Sequence, residues 1–103
     1  LLRWAVENIM KNAVDAMGLG GGEITTLISR DESGITLDIR DTGKGIPRKD
    51  WKNIFRPGYS SKHRGWGLGL SLTQRIIEEI HGGRIRVLSS KLGETVFRLN
   101  FPV

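Results

Sequence analysis

The chain predicts an α+β domain: two layers, a mainly antiparallel mixed sheet, and helices on one face. Three observations carry that prediction. There are two hairpin patterns, there are long amphipathic helical patterns before and between them, and no strand–helix–strand alternation of the doubly wound kind occurs. The 103 residues suffice for one core. We expect residues 1–103 to form a single domain excised from a longer chain, because Leu1 already lies inside an apolar helical pattern with no leading loop.

Residues 1–17 place Leu2, Val6, Ile9, Met10, Ala13, Val14 and Met17 on one broad helical face. Gly18 and the run Gly20, Gly21 and Gly22 end that helix. Glu23 to Arg30, rich in Ile and Thr, predicts a strand. Asp31-Glu32-Ser33-Gly34 is a turn, and Ile35 to Asp41 predicts the return strand, with Ile35, Leu37 and Ile39 alternating against Thr36, Asp38 and Arg40. The stretch from Asp41 to Pro47 reads as a loop. A short helix is expected from Arg48 to Ile54 and a loop from Phe55 to Gly65. Gly67 to His81 predicts a second long helix with Leu68, Leu72, Ile76, Ile77 and Ile80 turned inward, capped by Gly82 and Gly83. A closing hairpin runs from Arg84 to Ser90 and from Glu94 to Phe101, across a turn at Lys91-Leu92-Gly93.

Composition narrows function by exclusion. With no cysteine, disulfides, thiolate chemistry and Cys-based zinc sites are ruled out. No run of about 18 apolar residues occurs, so direct membrane insertion is not expected. The net charge of +5 would suit nucleic acid, an anionic membrane surface or a phosphorylated ligand. The cations are dispersed except at Lys62, His63 and Arg64, which sit beside glycines. That favours a phosphate ligand over a duplex, and no nucleic-acid partner is expected.

Four features carry chemistry, and each admits a plain reading. Asn8, Asn12 and Asp15 fall within an arc of about 60° on the first helix, away from its apolar face. A solvated stripe would serve, yet Asn and Asp are poor helix formers. An amide oxygen is also a hard ligand suited to Mg²⁺ shared with phosphates. Asp41 continues the inward parity of Ile35, Leu37 and Ile39, where a carboxylate is costly without a donor. It is either a turn former or an acceptor for a ligand amino group such as that of adenine, with Gly43 and Gly45 letting the ligand approach the backbone. Gly65-Trp66-Gly67-Leu68-Gly69-Leu70 ahead of a helix is either a flexible loop or a phosphate cradle, with Lys62 and Arg64 as cations upstream. Thr95 shares the inward face of Phe97, Leu99 and Phe101, and bonds either to the backbone or to a polar ligand edge.

In this order the features resemble the GHKL family of ATP-binding domains, and within it the sensor histidine kinases. Glu7-Asn8-Ile9-Met10-Lys11-Asn12-Ala13 is similar to the family's N box, and Asp41-Thr42-Gly43-Lys44-Gly45-Ile46-Pro47 to its G1 box. Ile54-Phe55-Arg56-Pro57-Gly58-Tyr59-Ser60-Ser61-Lys62 is similar to the F box, and Gly65 to Leu70 to the G2 box. Gly93-Glu94-Thr95-Val96-Phe97, followed by Phe101-Pro102, is similar to the closing strand. The resemblance implies the Bergerat α/β sandwich and a cytoplasmic domain, whether or not its parent is anchored in a membrane. It implies ATP and Mg²⁺ as cofactors and transfer of the γ-phosphate to a histidine on a separate dimerisation domain, with a response regulator downstream. By the same resemblance, Asn12 coordinates the metal and Asn8 assists on the phosphate side. Asp41 accepts from the adenine amino group, Gly45 lies under the base, and Thr95 supports the adenine edge. A lid from Phe55 to Gly69, including Tyr59, Ser60 and Ser61, covers the phosphates, with Lys62, Arg64 and the G2-box amides as phosphate partners. Lys11, Asp15, Gly43 and Ile46 fall in or beside the same boxes and complete the expected site.

Two positions refine the resemblance. ATP-hydrolysing relatives carry glutamate four residues before the metal Asn, to activate water. Asn8 stands there, and an amide is no base. Many histidine kinases carry Lys three residues after the metal Asn; Asp15 stands here, as in members with an Asn-Ala-x-Asp-Ala run and a short lid. Neither His63 nor His81 is expected to be the acceptor, so the isolated domain should be a monomer that does not phosphorylate itself. The alternative is a degenerate module that holds nucleotide or docks a partner without transfer.

Overall fold

The structure, a computed structural model, describes residues 1–59 and 66–102. In chain order it contains α1 (Leu2–Met17), β1 (Ile24–Asp31), β2 (Gly34–Asp41) and two 3-10 turns (Arg48–Asp50 and Asn53–Phe55). Then come α2 (Trp66–Arg75), a π-helical turn (Ile76–Ile80), β3 (Arg84–Lys91) and β4 (Glu94–Pro102). The strand order is β1-β2-β4-β3 and every pairing is antiparallel. The expected mixed sheet is therefore purely antiparallel among the described strands. Among the described residues, no helix is long and apolar enough to cross a membrane.

Alternation along β2 and β4 separates the two faces of the sheet. Inward, Leu37 lies opposite Leu99 and Ile39 opposite Phe97, while β3 adds Ile85 and Val87 against the same two β4 residues. Ala5 and Ile9 of α1 and Ile76 and Ile77 close the core over them. Outward, polar rungs join the same strands. Asn100 Nδ2 donates to Thr36 Oγ1 at 3.0 Å, and Arg98 grips both Asp38 oxygens at 2.8 Å. Arg40 pairs with Glu94 at 2.7 Å. The Arg98 guanidinium holds the Asp38 carboxyl below the usual carboxylate range.

Three expectations change. The helix expected from Arg48 to Ile54 is two 3-10 turns. The segment is pinned at both ends, by the Trp51 indole N–H on the Ile46 carbonyl at 2.9 Å and by Phe55 packed edge-on against Phe97. A stretch this short does not sustain a full helix against such anchors. On the second helix Leu72 is 43% and Ile80 58% exposed, not inward. The small residues Gly69 and Thr73 face α1 instead, and the wide π turn buries the consecutive Ile76 and Ile77 and rolls Ile80 outward. On α1 the buried line is Ala5, Ile9 and Ala13, with Leu2 and Val14 exposed. Because α1 packs on α2 as well as on the sheet, Asn8 and Asn12 flank the buried line as half-buried residues, instead of facing away from it; Asp15 alone is exposed.

Leu99, fully buried between both hairpins, is expected to cost about 2–5 kcal/mol when cut to Ala. Leu27→Ala, at an exposed position of β1, should stay within about 0.5 kcal/mol. Urea denaturation of the two variants measures both values.

Candidate functional site

The inward parity of β2 ends at Asp41 and that of β4 begins at Thr95, and the register sets these two residues directly opposite each other. Both are only 2% exposed. The Gly43 N–H donates to Asp41 Oδ1 at 2.8 Å. Burial pushes the Asp41 carboxyl above its usual range, and the Gly43 N–H only partly counters it. Thr95 Oγ1 and Ser90 Oγ are hydrogen-bonded at 2.7 Å, and Ser90 Oγ accepts the Ile46 N–H at 2.7 Å. A carboxylate, two hydroxyls and the loop backbone therefore form one connected polar cluster at the end of an apolar sheet.

The loop after Asp41 is held from three sides. The Lys44 N–H donates to the Ala16 carbonyl of α1 at 3.1 Å, and the Gly93 N–H of the second hairpin donates to the Gly43 carbonyl at 2.9 Å. The Glu23 N–H donates to Thr42 Oγ1 at 3.1 Å. Gly45 has φ +84°, and a Cβ there would lie 2.6 Å from the Lys91 carbonyl oxygen. Only glycine fits that position, first because of the chain's own packing.

Along α1 the two amides are fixed to their surroundings. Asn12 Nδ2 donates to the Asn8 carbonyl at 2.9 Å, and Asn8 Nδ2 donates to Thr73 Oγ1 of α2 at 3.0 Å. Asp41, Gly43, Gly45, Ile46 and Thr95 are thus gathered at one end of the sheet. Asn8, Asn12 and Gly69 meet where α1 crosses α2, and Leu70 beside them is half-buried. Lys11 and Asp15 lie on the exposed side of α1, and the exposed Tyr59 turns its phenol to Asp50, which raises its pKa. Ser60, Ser61, Lys62, Arg64 and Gly65 lie outside the described residues, as do the side chains of Trp66 and Leu68. Gly67 and Gly69 stand in the first turns of α2, which begins at Trp66, and not in a turn ahead of it.

Sequence reasoning missed Ser90 and Thr73. Ser90 was findable as the hydroxyl opposite Thr95 across the closing hairpin, and Thr73 as a hydroxyl one helical turn after Gly69. A groove of about 240 Å³ near Gly34, Thr36, Arg84 and Asn100 lies at the other end of β2 and contains none of the expected residues. Among the described residues no cluster of three His, Cys, Asp or Glu could hold a metal. Any divalent ion here would rely on amide oxygens together with phosphates and water, a donor set that fits Mg²⁺.

The whole chain, residues 1–103, matches the family model described as histidine kinase-, DNA gyrase B- and HSP90-like ATPase. The chain belongs to this family. It is a GHKL ATP-binding domain of the histidine kinase type. It is 38% identical over 96 residues to sporulation kinase E of Bacillus subtilis (strain 168), covering 93% of this chain and 13% of that protein. Sporulation kinase A of the same organism is 40% identical over 95 residues, covering 92% of this chain and 15% of that protein. The chain therefore spans a small part of these relatives. In a solved structure, the catalytic domain of histidine kinase ThkA superposes with a TM-score of 0.82 at 31% identity, covering 95% of this chain and 63% of that one. The α/β sandwich of the GHKL domain is the fold seen here.

The raised pKa of Asp41 makes a prediction about the free domain. A carboxyl whose folded pKa is raised stabilises the fold when neutral, and that contribution is lost as pH rises through the folded value. At neutral pH the ionised Asp41 is thus a burden that Asp41→Asn removes. The melting temperature of Asp41→Asn should equal or exceed that of the unaltered chain at pH 7, and the difference should close as pH falls toward about 4, near the unfolded pKa. Thermal denaturation across that pH range checks it.

Proposed function

We propose that this domain binds Mg·ATP and passes the γ-phosphate to a histidine on a separate dimerisation domain of its parent kinase, which in turn supplies a response regulator. The observation that carries the reading is the chemistry of α1 beside α2. The half-buried stripe presents the amides Asn8 and Asn12 and no carboxylate, while Glu7 sits on the exposed side paired with Arg3 at 3.2 Å. No base on this stripe can deprotonate water, so the site favours transfer to a protein acceptor over hydrolysis.

In this reading the buried Asp41 carboxylate accepts from the adenine amino group, and Gly45 lies under the base. Thr95, steadied by Ser90, supports the adenine edge through water. Asn12 Oδ1 holds Mg²⁺ and Asn8 works beside it on the phosphate side, while Ile46, Gly69 and Leu70 border the pocket. When bound, Mg²⁺ would neutralise and orient the phosphate oxygens. Lys62, Arg64 and Gly65 to Leu70 contact the phosphates. His81, exposed at the end of the second helix, is not the acceptor.

Asp41→Asn should weaken ATP-analogue binding about 10- to 100-fold, corresponding to about 1.5–3 kcal/mol for a hydrogen bond to a charged group. Isothermal titration calorimetry measures the loss, and unchanged affinity would sink the adenine assignment. With labelled ATP and a fragment carrying the acceptor histidine added in trans, acid-labile label should appear on the fragment. Tight binding without such label would leave a nucleotide-holding or docking module.

A further inference from the structure

We propose that Thr73 is a positioning residue that locks the Asn8 amide with its oxygen toward the phosphate and metal end of the pocket; the inference rests on the nucleotide site proposed above. Thr73 is fully buried on α2 and belongs to none of the boxes that line that site. Its Oγ1 lies 2.8 Å from the Gly69 carbonyl oxygen and 3.0 Å from the Asn8 amide. Two oxygens 2.8 Å apart need a proton between them, and only the hydroxyl has one to give. The single Thr73 proton is thus committed to Gly69, and Oγ1 can only accept from Asn8.

The chemistry, and not the placement of look-alike atoms, therefore fixes which end of Asn8 meets Thr73. It must be the NH₂. The same reasoning applies one turn on, where the Asn12 amide meets the Asn8 backbone carbonyl, which can only accept, so its NH₂ is assigned as well. With each NH₂ committed to a protein acceptor, each side-chain oxygen remains an acceptor. Two neighbouring amides on α1 thus have assigned donor and acceptor ends.

Gly69 makes the arrangement sterically feasible. A Cβ there would fall 2.8 Å from Asn8 Nδ2, so the missing side chain lets α2 come close enough for Thr73 to reach the amide. Without the hydroxyl, the Asn8 amide loses the acceptor that fixes its orientation, and the flipped orientation would present NH₂ to the metal.

Thr73→Val keeps the shape of the side chain and removes the hydroxyl, while Thr73→Ser keeps the hydroxyl. ADP binding is measured by calorimetry with and without Mg²⁺. The magnesium-dependent gain in affinity should fall about tenfold or more in Thr73→Val, in the range typical of lost outer-shell partners, and recover in Thr73→Ser. Magnesium-free affinity should change less than about twofold in either variant, since no contact to the ligand itself is removed. In the ligand-free protein, the Asn8 side-chain NH₂ signals in a ¹⁵N NMR spectrum should lose their protection from exchange in Thr73→Val alone. A full magnesium effect in Thr73→Val, equal losses in both variants, or unaltered Asn8 signals would overturn the proposal. A wild-type protein with no magnesium effect would overturn the metal assignment of Asn12 instead, and the Asn8 signals would still decide on Thr73.

Discussion

The β2–β4 pairing is the constraint on which the end of the domain that carries Asp41 and Thr95 depends. Leu37 opposite Leu99 and Ile39 opposite Phe97 bury the apolar pairs, and the next inward pair is Asp41 opposite Thr95. A slip of one residue would turn every one of these side chains to the other face. The outer rungs Thr36–Asn100, Asp38–Arg98 and Arg40–Glu94 would break in the same slip. Apolar burial on one face and charge pairing on the other thus agree on one register. The polar pair at the strand ends needs no separate device to bring it together. It is where the alternation leads when the apolar residues run out.

Helix α1 has a harder packing task than a surface helix. It must cover the sheet with Ala5 and Ile9 and also accept α2 along its flank. Leucines at that flank would fill the gap with apolar volume and hold the helices apart. Gly69 and Thr73 instead let the helices approach, and the amide of Asn8 satisfies the hydroxyl it meets. Buried polar groups of this kind are tolerable only when they are bonded, and no buried side-chain polar atom among the described residues lacks a partner. The contact therefore gives up some apolar burial for a fixed orientation of polar atoms beside the proposed phosphate end.

Much of this was legible in the chain, for identifiable reasons. The hairpins followed from period-two alternation, which in β2 and β4 is nearly unbroken because one face is buried and the other is wet. The inward placement of Asp41 and Thr95 followed from the same parity. The helix faces were less legible. Hydrophobic patterning weights large residues, so Val14 and Leu72 looked inward, whereas the contact surface is set by Ala5, Ala13, Gly69 and Thr73. Small residues at a close helix crossing carry little apolar signal. Patterning places Asn8 and Asn12 away from the apolar face for that reason, although they flank the buried line. The π turn at Ile76–Ile80 left no trace in the pattern, since two adjacent isoleucines suit either an α-helix with a broad face or a local widening. Ser90 and Thr73 stayed hidden because a lone hydroxyl is ambiguous until its partner is known.

The identity of residue 8 connects this packing to the choice of chemistry. A glutamate at that position would have to place a carboxylate against Thr73 Oγ1 and the Gly69 carbonyl. With its proton committed to Gly69, the hydroxyl offers only lone pairs, and a carboxylate has no proton to share with them. The α2 surface beside α1 is thus matched to a donor, which an amide supplies and an ionised acid does not. Accommodating a base here would require the Thr73 proton to be released from Gly69 or the helices to separate. On the proposed reading, the preference for transfer over hydrolysis is therefore built into the helix–helix contact as well as into residue 8 itself. Position 73 and position 8 are thus coupled through one hydrogen bond, and a base at position 8 would have to break the present arrangement.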